Sequence, residues 1–358
     1  TMKILDWYIL KRYLFTFFLM LLLFIPIGIT VNLAEKIDRI LENEVPFNEV
    51  ASFYFDFTIY FANLLFPLFL FLSVIWFTSK LANNTEVVAF LSSGVSFSRF
   101  LRPYFIGASF VAFLALMLGM YWAPIASKGF NEFNYKYLNS SKISETQHIY
   151  RQINDSEYIY VSNFDPKTKR GNNFTLEHFE GNKLAYKISA SAIRYIEKDS
   201  SYSLTNYNLR IIGDDNDKLE YLRRKDTLFS FDLEDLTPPK YVAETLTYGE
   251  LMRFISREEV RGSSNINRYK VVQYKKWSLP VSVFILTIIA VAVSSIKRRG
   301  GMGVNLAFGI VIAMIYVFFD KVFGVMAEQS DFSPLLAVWF PNILFGVLAI
   351  YLLYNAKR

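Results

Sequence analysis

The sequence predicts an α+β membrane protein with six transmembrane helices, three plus three, around an inserted all-β, jelly-roll-like domain. Two patterns predict this class: six long uncharged stretches, and alternating apolar residues within the polar insert that separates the third stretch from the fourth. A helix rises about 1.5 Å per residue, so each stretch can cross a hydrocarbon core about 30 Å thick. The stretches are residues 13–31, 57–79, 103–127, 277–296, 300–319 and 332–356.

The predicted domains follow the same division. Residues 1–127 hold the first three transmembrane helices, with a short cytoplasmic helix at about 84–93. Residues 128–267 form the β domain and its connector, and residues 268–358 hold the last three helices. The composition agrees, since 53% hydrophobic and 18% aromatic residues make the chain more apolar than an ordinary soluble protein.

Basic residues gather at alternate ends of the apolar stretches. They include Lys11 and Arg12 before the first stretch, Arg99 and Arg102 before the third, and residues 297–299 between the fourth and fifth. By the positive-inside rule these ends are cytoplasmic, which puts both termini inside and the β domain outside. The net charge of +6 therefore reflects topology and does not indicate a nucleic-acid partner. The first stretch exceeds a signal-peptide core of about 7–15 residues and no cleavage-site pattern follows Val31, so we expect an uncleaved anchor.

The polar insert alternates apolar and polar residues in segments such as EYIYVSNF, KLAYKISASAIRYI and SYSLTNYNLRII, which turn clusters separate. This pattern predicts antiparallel strands packed as a sandwich or jelly roll. We expect this domain to be a conduit with an apolar interior. The alternation leaves open whether Ile159 and Phe174 or Tyr158 and Thr175 face inward.

The insert contains no pattern typical of an active site. The chain has no cysteine, and its two histidines, His148 and His178, lack metal-ligand spacing, so we interpret them as surface or strand residues. Asp214, Asp215 and Asp217 share one turn, where a solvated loop explains them better than an acid–base pair. A G-x-x-x-x-G-K-[ST] phosphate loop is absent as well. We therefore expect no enzymatic activity, metal or cofactor in this chain, and an energy source in another subunit.

The segment NNTEVVAFLSSGVSFSRF, between the second and third stretches, predicts a short amphipathic helix on the cytoplasmic face. Asn83 can cap this helix, with Glu86 three residues on in a capping-box arrangement. Val87, Phe90 and Leu91 recur at helical spacing. Such a helix can rest on lipid headgroups or dock into a protein groove. Its polar face carries Glu86 and neither Lys nor Arg, which favours a protein partner.

Five segments, in order along the chain, resemble the LptF/LptG (YjgP/YjgQ) permease family. They are LDWYILKRYL, TEVVAFLSSGVS, WAPIASKGFNEFNY, DLTPP and KKWSLPVSVFILTIIAVAVSS. The resemblance implies a permease subunit of an ATP-driven exporter. That exporter extracts lipopolysaccharide from the outer leaflet of the bacterial inner membrane and passes it to a periplasmic bridge. LDWYI and SSGVS favour the LptG half over the LptF half.

The same resemblance implies the partners of the chain. They are a second LptF/LptG-type permease, a dimer of the ATPase LptB that would bind ATP and magnesium, and LptC and LptA of the periplasmic bridge. It also implies that the cytoplasmic helix is a coupling helix, with Glu86 at its acidic position. Glu86, Val87, Phe90 and Leu91 are the residues expected to couple the chain to the ATPase.

Charged residues at the outer ends of the stretches are the candidate lipid-binding residues. Lys36 and Arg39 continue from Val31, and Lys321 follows the fifth stretch. These cations can snorkel to the interface and pair with neighbouring acids such as Glu35, or face a cavity and bind phosphate or carboxylate groups. In the family, basic residues at the outer end of span one contact the lipid, and spans one and five form lateral gates. That resemblance supports Lys36 and Arg39 first and Lys321 second.

Two hypotheses from other classes remain open at this point. A sensor or assembly protein would bind a ligand through its outer β domain and a cytoplasmic partner through the loop helix, without transport. An ion-coupled carrier is disfavoured, because Asp56 and Asp320 lie near span ends and the span middles carry no charge.

Overall fold

The computed structural model describes residues 4–138, 147–165, 168–197, 199–213, 216–231, 241–260, 263, 265–295, 301–330 and 332–356. The chain divides into two compact units. The membrane unit comprises residues 1–139, 244–248 and 267–358, and the β unit comprises residues 140–243 and 249–266. Each unit has its own hydrophobic core.

Six long apolar segments make up most of the membrane unit. The described helices are α1 (Ile4–Glu42), α2 (Phe47–Asn83), α3 (Glu86–Ser92), α4 (Phe97–Met117), α5 (Ala123–Tyr137), α6 (Val242–Thr245), α7 (Tyr248–Val260), α8 (Ile266–Ser294), α9 (Gly301–Gln329) and α10 (Pro334–Ala356). A π-helical turn (Leu118–Trp122) joins α4 to α5, and the three together are called the α4–α5 rod. Among them α1, α2, the α4–α5 rod, α8, α9 and α10 are long and apolar enough to cross a membrane. Three precede the β unit and three follow it, which confirms the three-plus-three architecture.

The first helices are longer than a membrane requires. The 39 residues of α1 span about 58 Å at about 1.5 Å per residue, nearly twice a hydrocarbon core of about 30 Å. At the outer end, defined as the end from which the chain leaves α5 for the β unit, the surplus forms a small aromatic core. There Phe53 stacks on Phe133 with ring centroids 4.2 Å apart, and Ile40 and Leu138 are buried. This core joins α1, α2 and α5 beyond the apolar stretches.

Polar side chains between the spanning helices bind each other. Tyr13 OH and Thr287 Oγ1 are 3.1 Å apart, and Thr78 Oγ1 and Tyr104 OH are 2.9 Å apart. An unpaired polar group is costly where no water can replace its partner. These two bonds therefore fix α1 against α8 and α2 against α4.

The β unit contains a six-stranded antiparallel sheet, as predicted. Its strands are β1 (Gln147–Asn154), β2 (Glu157–Asp165), β3 (Arg170–Glu180), β4 (Lys183–Ile196), β5 (Ser201–Ile211) and β6 (Lys218–Thr227). Each strand pairs with the next one along the chain, so these strands form one open meander. They do not form the two sheets of a sandwich or the Greek-key order of a jelly roll. Alternation reports which side chains share a face, but the short connections decide which strands pair.

One face of the sheet is apolar and buried. Ile159 and Phe174 lie on this face, at 2% and 0% exposure, and Phe231 from the segment after β6 packs against it. Their strand neighbours Tyr158 and Thr175 therefore belong to the opposite face. The choice that the sequence left open is thus decided in favour of Ile159 and Phe174 as the inward pair.

One residue from each of the six strands belongs to a single row that crosses the sheet. At this row the side chains that point to the apolar face change. Its members, one per strand in chain order, are His148, Ser162, Asn173, Ser191, Asn206 and Arg223. His148, Asn173 and Asn206 have left-handed backbones, with φ of 51°, 52° and 52°. Tyr202 and Tyr207 are both buried although they lie five residues apart in β5, whereas a regular strand returns to one face every second residue. In β2, β3 and β5 the row therefore resets which side chains the strand turns to the apolar face.

Side-chain hydrogen bonds link neighbouring members of this row. Asn173 Nδ2 donates to Ser162 Oγ at 3.2 Å, and Asn206 Nδ2 donates to Ser191 Oγ at 3.1 Å. Asparagine adopts the left-handed conformation at lower cost than most residues with a side chain. The two asparagines thus tolerate the positive φ that the row requires, and their side chains also supply its hydrogen bonds.

We expect Asn206→Val to destabilise β5 by about 1–3 kcal/mol, because a β-branched side chain is strained at positive φ. Asn206→Gly should have a much smaller effect, since glycine adopts this φ freely. Hydrogen exchange of the β5 amides in the full chain measures the difference. Asn208→Val, at an exposed β5 position without positive φ, is the matched control. Equal exchange in the two valine variants would contradict the role of the row.

Candidate functional site

The predicted cytoplasmic helix exists as α3, but its start differs from the prediction. α2 continues through Asn83, and Thr85 precedes α3 with φ of 62° and no side-chain cap. Glu86 is the first residue of α3. The predicted capping box is therefore wrong: Asn83 still belongs to the preceding helix, and the left-handed turn at Thr85 redirects the chain.

α3 has one face packed on the membrane unit and one face exposed. Val87 is 2% exposed, and the Phe90 ring lies 6.1 Å from the ring of Phe100 in α4. Val88 and Leu91 are exposed by 57% and 38%. Val87 and Phe90 therefore pack α3 against the membrane unit. Val88 and Leu91 form an apolar surface on the exposed face.

The first turns of α1 hold this region in place. Tyr8 OH donates to Glu86 Oε2 at 3.0 Å. Asp6, which is 5% exposed, forms an ion pair with Arg99 in the first turn of α4 at 2.6 Å. The first residue of α3 and the first turn of α4 are thus both tied to α1. The sequence analysis did not single out Asp6 or Tyr8, although both lie in the segment LDWYILKRYL that carries the family resemblance.

We expect Asp6→Ala to lower the free energy of unfolding by about 1–3 kcal/mol, because the Arg99 guanidinium would lose its carboxylate in a partly buried place. The midpoint of thermal denaturation of the full chain in detergent reports this change. Arg102→Ala removes an exposed charge one turn away and should change stability by less than about 0.5 kcal/mol. Equal midpoints for the two variants would rule out a stabilising role for the pair.

Lys36 and Arg39 lie at the outer end of α1, and both contact the α5 region. Lys36 Nζ donates to Asn134 Oδ1 at 3.0 Å and lies 5.2 Å from the centroid of the Phe130 ring. Arg39 Nη1 donates to the Leu138 carbonyl oxygen at 3.1 Å, and Arg39 is exposed. Among the described residues, neither cation forms the ion pair with an adjacent acid of α1 that the snorkelling alternative predicts. The hydrogen-bond partners of both cations are therefore neutral, although Lys36 also interacts electrostatically with Glu35.

Lys321 belongs to a different group of charges. It is exposed in α9 and follows Asp320, whose carboxylate lies 3.0 Å from Lys275 Nζ. Farther along α9, Glu328 lies 3.3 Å from Nε of Arg268. Lys275 and Arg268 both come from α8. The predicted lipid-binding residues therefore fall into two groups, one at the α1–α5 contact and one at the α8–α9 contact.

Lys276 is a buried cation that the sequence analysis missed. It is 7% exposed, and its Nζ donates to the Gly119 carbonyl oxygen at 2.8 Å. Gly119 lies in the π-helical turn, a rare winding that interrupts the regular hydrogen-bond pattern of a helix. Lys276 therefore joins α8 to the α4–α5 rod. The sequence feature that could have identified Lys276 is the pair of lysines before Trp277, at the edge of an apolar stretch.

Several titratable groups of the β unit pair with one another. His178 Nδ1 lies 3.5 Å from Glu157 Oε1. Arg210 binds the carboxylate of Asp217 and holds the pKa of Asp217 below its usual range. Residues 214–215 of the predicted acidic turn lie outside the described residues. In the described part of the chain, no cluster of three or more histidine, cysteine, aspartate or glutamate side chains can hold a metal ion.

Comparison with known proteins gives a match over nearly the whole chain. The family model described as "Lipopolysaccharide export system permease LptF/LptG" matches residues 7–355. No curated protein matches the chain. Of the five segments that carry the resemblance, four lie in or beside α1, α3, α5 and α8, and DLTPP lies outside the described residues. The match therefore includes both sets of spanning helices and the β unit between them.

Proposed function

Because this chain belongs to the LptF/LptG family of lipopolysaccharide export permeases, we propose that it is the LptG half of an ATP-driven exporter. Members of this family are multi-pass transporter subunits of the inner membrane and are not enzymes. Membership of the family therefore replaces the sensor and carrier hypotheses. The exporter takes lipopolysaccharide from the outer leaflet and passes it to the LptC and LptA bridge. Both termini lie in the cytoplasm and the β unit lies in the periplasm. The segments LDWYI and SSGVS support the LptG assignment.

The continuity of α1 is the observation that carries this mechanism. Its first turns bind Glu86 and Arg99 on either side of the coupling loop, and its outer end carries Lys36 and Arg39. Coupling between distant sites travels through rigid elements that contact both. α1 runs without a break from one site to the other, with Pro26 inside it, so a displacement of α3 by an ATPase is passed along α1 to the lipid-binding cations.

On the cytoplasmic side the partner is an LptB dimer that binds ATP and magnesium. α3 offers this partner Val88 and Leu91, which are exposed and apolar. Val87 and Phe90 hold α3 on the membrane unit, and Glu86 is oriented by its bond to α1. Of the four predicted coupling residues, Glu86, Val87 and Phe90 thus hold α3 in place, and Leu91 contacts the ATPase directly.

We expect the double variant Val88→Asp and Leu91→Asp to weaken retention of the ATPase by at least about tenfold, because two carboxylates would have to leave water on docking. Copurification of the ATPase with the tagged permease measures retention. Ser98→Asp, at an exposed site in the first turn of α4, introduces one carboxylate outside α3 and should retain the ATPase fully. An unimpaired double variant that still releases lipid with ATP would show that α3 is not the docking site.

On the outer side, Lys36 and Arg39 bind anionic groups of lipopolysaccharide, and Lys321 supplies a further contact. The exposed Arg39 guanidinium offers a two-pronged donor to a phosphate or carboxylate. The Lys36 ammonium must leave Asn134, a neutral acceptor, and the Phe130 ring to meet the lipid. The second permease, of the LptF type, forms the other wall of the lipid cavity.

We expect reversal of Lys36 and Arg39 to Glu to lower bound lipopolysaccharide more than tenfold while the subunits still assemble and hydrolyse ATP. Each lost contact between charged groups is worth about 1.5–3 kcal/mol, and repulsion adds to the loss. Native mass spectrometry of the assembled complex reports lipid occupancy. Lys128→Glu reverses an exposed cation of α5 whose nearest carboxylate, in Glu132, is 3.9 Å away, and should leave occupancy unchanged. Equal occupancy in both reversed proteins would remove this pair from the lipid site.

A further inference from the structure

The π-helical turn in the α4–α5 rod leaves one carbonyl group without either of its usual helical donors. In an α-helix the Gly119 carbonyl would accept from the N–H of Ala123, and in a π-helix from the N–H of residue 124. The Ala123 N–H donates to the Leu118 carbonyl instead. Residue 124 is a proline, which has no N–H. The sequence GMYWAP therefore removes both usual donors of the Gly119 oxygen.

Lys276, in α8, supplies the missing donor. Its Nζ donates to the Gly119 oxygen at 2.8 Å. Gly119 and Lys276 are both buried, so water has little access to either partner. Lys276 also interacts electrostatically with Glu244. In the described part of the chain, its ammonium is thus bound to the oxygen that the helix leaves unpaired.

The two halves of the rod, on either side of this turn, bind different regions of the membrane unit. Before the turn, Tyr104 forms a hydrogen bond with Thr78 of α2. After the turn, Asn134 accepts from Lys36 Nζ at 3.0 Å, and the centroid of the Phe130 ring lies 5.2 Å from that nitrogen. An α-helix turns by about 100° per residue. A change of winding at the turn would therefore move Asn134 and Phe130 away from Lys36 even if α4 stayed in place.

Loss of the Lys276 bond would favour such a change. A buried carbonyl group without a donor is costly, because water cannot reach it to replace the lost partner. The rod can regain a donor for Gly119 by altering its main-chain hydrogen bonds between Leu118 and Pro124. Turns of this kind are rare single interruptions of α-helices and are frequent at functional sites. One side chain of a neighbouring helix therefore stabilises the winding that the structure shows.

We infer that Lys276 is a positioning residue of the proposed lipid site, because it maintains the winding of the rod that keeps Asn134 and Phe130 against Lys36. This role rests on the proposed function, in which Lys36 leaves these two partners to bind lipid. Lys276 acts through the main chain of the rod and does not itself contact the lipid. α8, from the second group of spanning helices, thereby controls a cation of α1.

The rate at which a water-soluble reagent acetylates Lys36 reports whether its amine is held. Peptide mass spectrometry measures this rate in the permease–ATPase complex in lipid nanodiscs, relative to Lys218, an exposed lysine of β6. We expect Lys276→Met, which fills the site without a donor, to raise the Lys36 rate at least about threefold, because the amine leaves its partners on α5. Lys275→Met removes the neighbouring cation, which pairs with a carboxylate of α9, and should leave the rate unchanged.

The variant Pro124→Ala tests whether Lys276 acts through the Gly119 carbonyl. Alanine at this position restores a main-chain N–H, so the helix can bond the Gly119 oxygen without Lys276. In this background we expect Lys276→Met to change the Lys36 rate by less than about 1.5-fold. An equal increase in both backgrounds would overturn the inference, because Lys276 would then act through packing or charge alone. The absence of an increase in either background would overturn it as well.

Two additions keep the outcomes distinct. Should Lys276→Met prevent assembly, Lys276→Gln, with a neutral and shorter side chain, takes its place with the same expectation. Native mass spectrometry of lipopolysaccharide bound to the same proteins tests the proposed function, and we expect Lys276→Met to bind more lipid because Lys36 is already released. If Lys36 reacts faster in this variant but no more lipid is bound, the positioning role stands and the proposed lipid contact of Lys36 is wrong.

Discussion

The cost of placing a charge beside a medium of low dielectric constrains both ends of the membrane unit. Asp6 and Arg99 meet this cost as an ion pair, Lys36 by an amide oxygen and aromatic rings, and Lys276 by a carbonyl oxygen. Each solution requires two helices to lie side by side. The charged residues therefore add contacts between particular helices to those made by the apolar core and by the neutral hydrogen bonds.

The neutral partners of the outer cations have a functional consequence. A carbonyl or amide oxygen satisfies an N–H donor but leaves the positive charge uncompensated, and this remaining charge attracts an anion. Among the described residues the hydrogen bonds of Lys36 and Arg39 go to such oxygens, whereas Lys275 and Arg268 form ion pairs with carboxylates. The outer end thus contains cations that form ion pairs with carboxylates and cations whose hydrogen bonds go to neutral oxygens, and the proposed lipid site uses the second kind.

The β unit meets a different constraint, because a single open sheet must bury one face. In the strands whose burial pattern shows it, the row through Asn173 and Asn206 changes which side chains point to the apolar face. One sheet can therefore present a continuous apolar face on both sides of the row. Phe231 covers part of that face. Ile159 and Phe174 belong to that face, which answers the question of orientation that the alternation left open.

Hydropathy and alternation are properties of neighbouring residues, so they were enough to predict the six spans, their three-plus-three grouping, the antiparallel strands and the short helix between the second and third spans. The strand order, the buried face of the sheet, the start of α3 after Asn83 and the partners of the charged side chains became visible in the folded chain. Tyr8 lies 78 residues from Glu86, and Lys276 lies 157 residues from Gly119. No local pattern contains such pairs, because they exist only once separate helices have packed and each buried charge has found an acceptor.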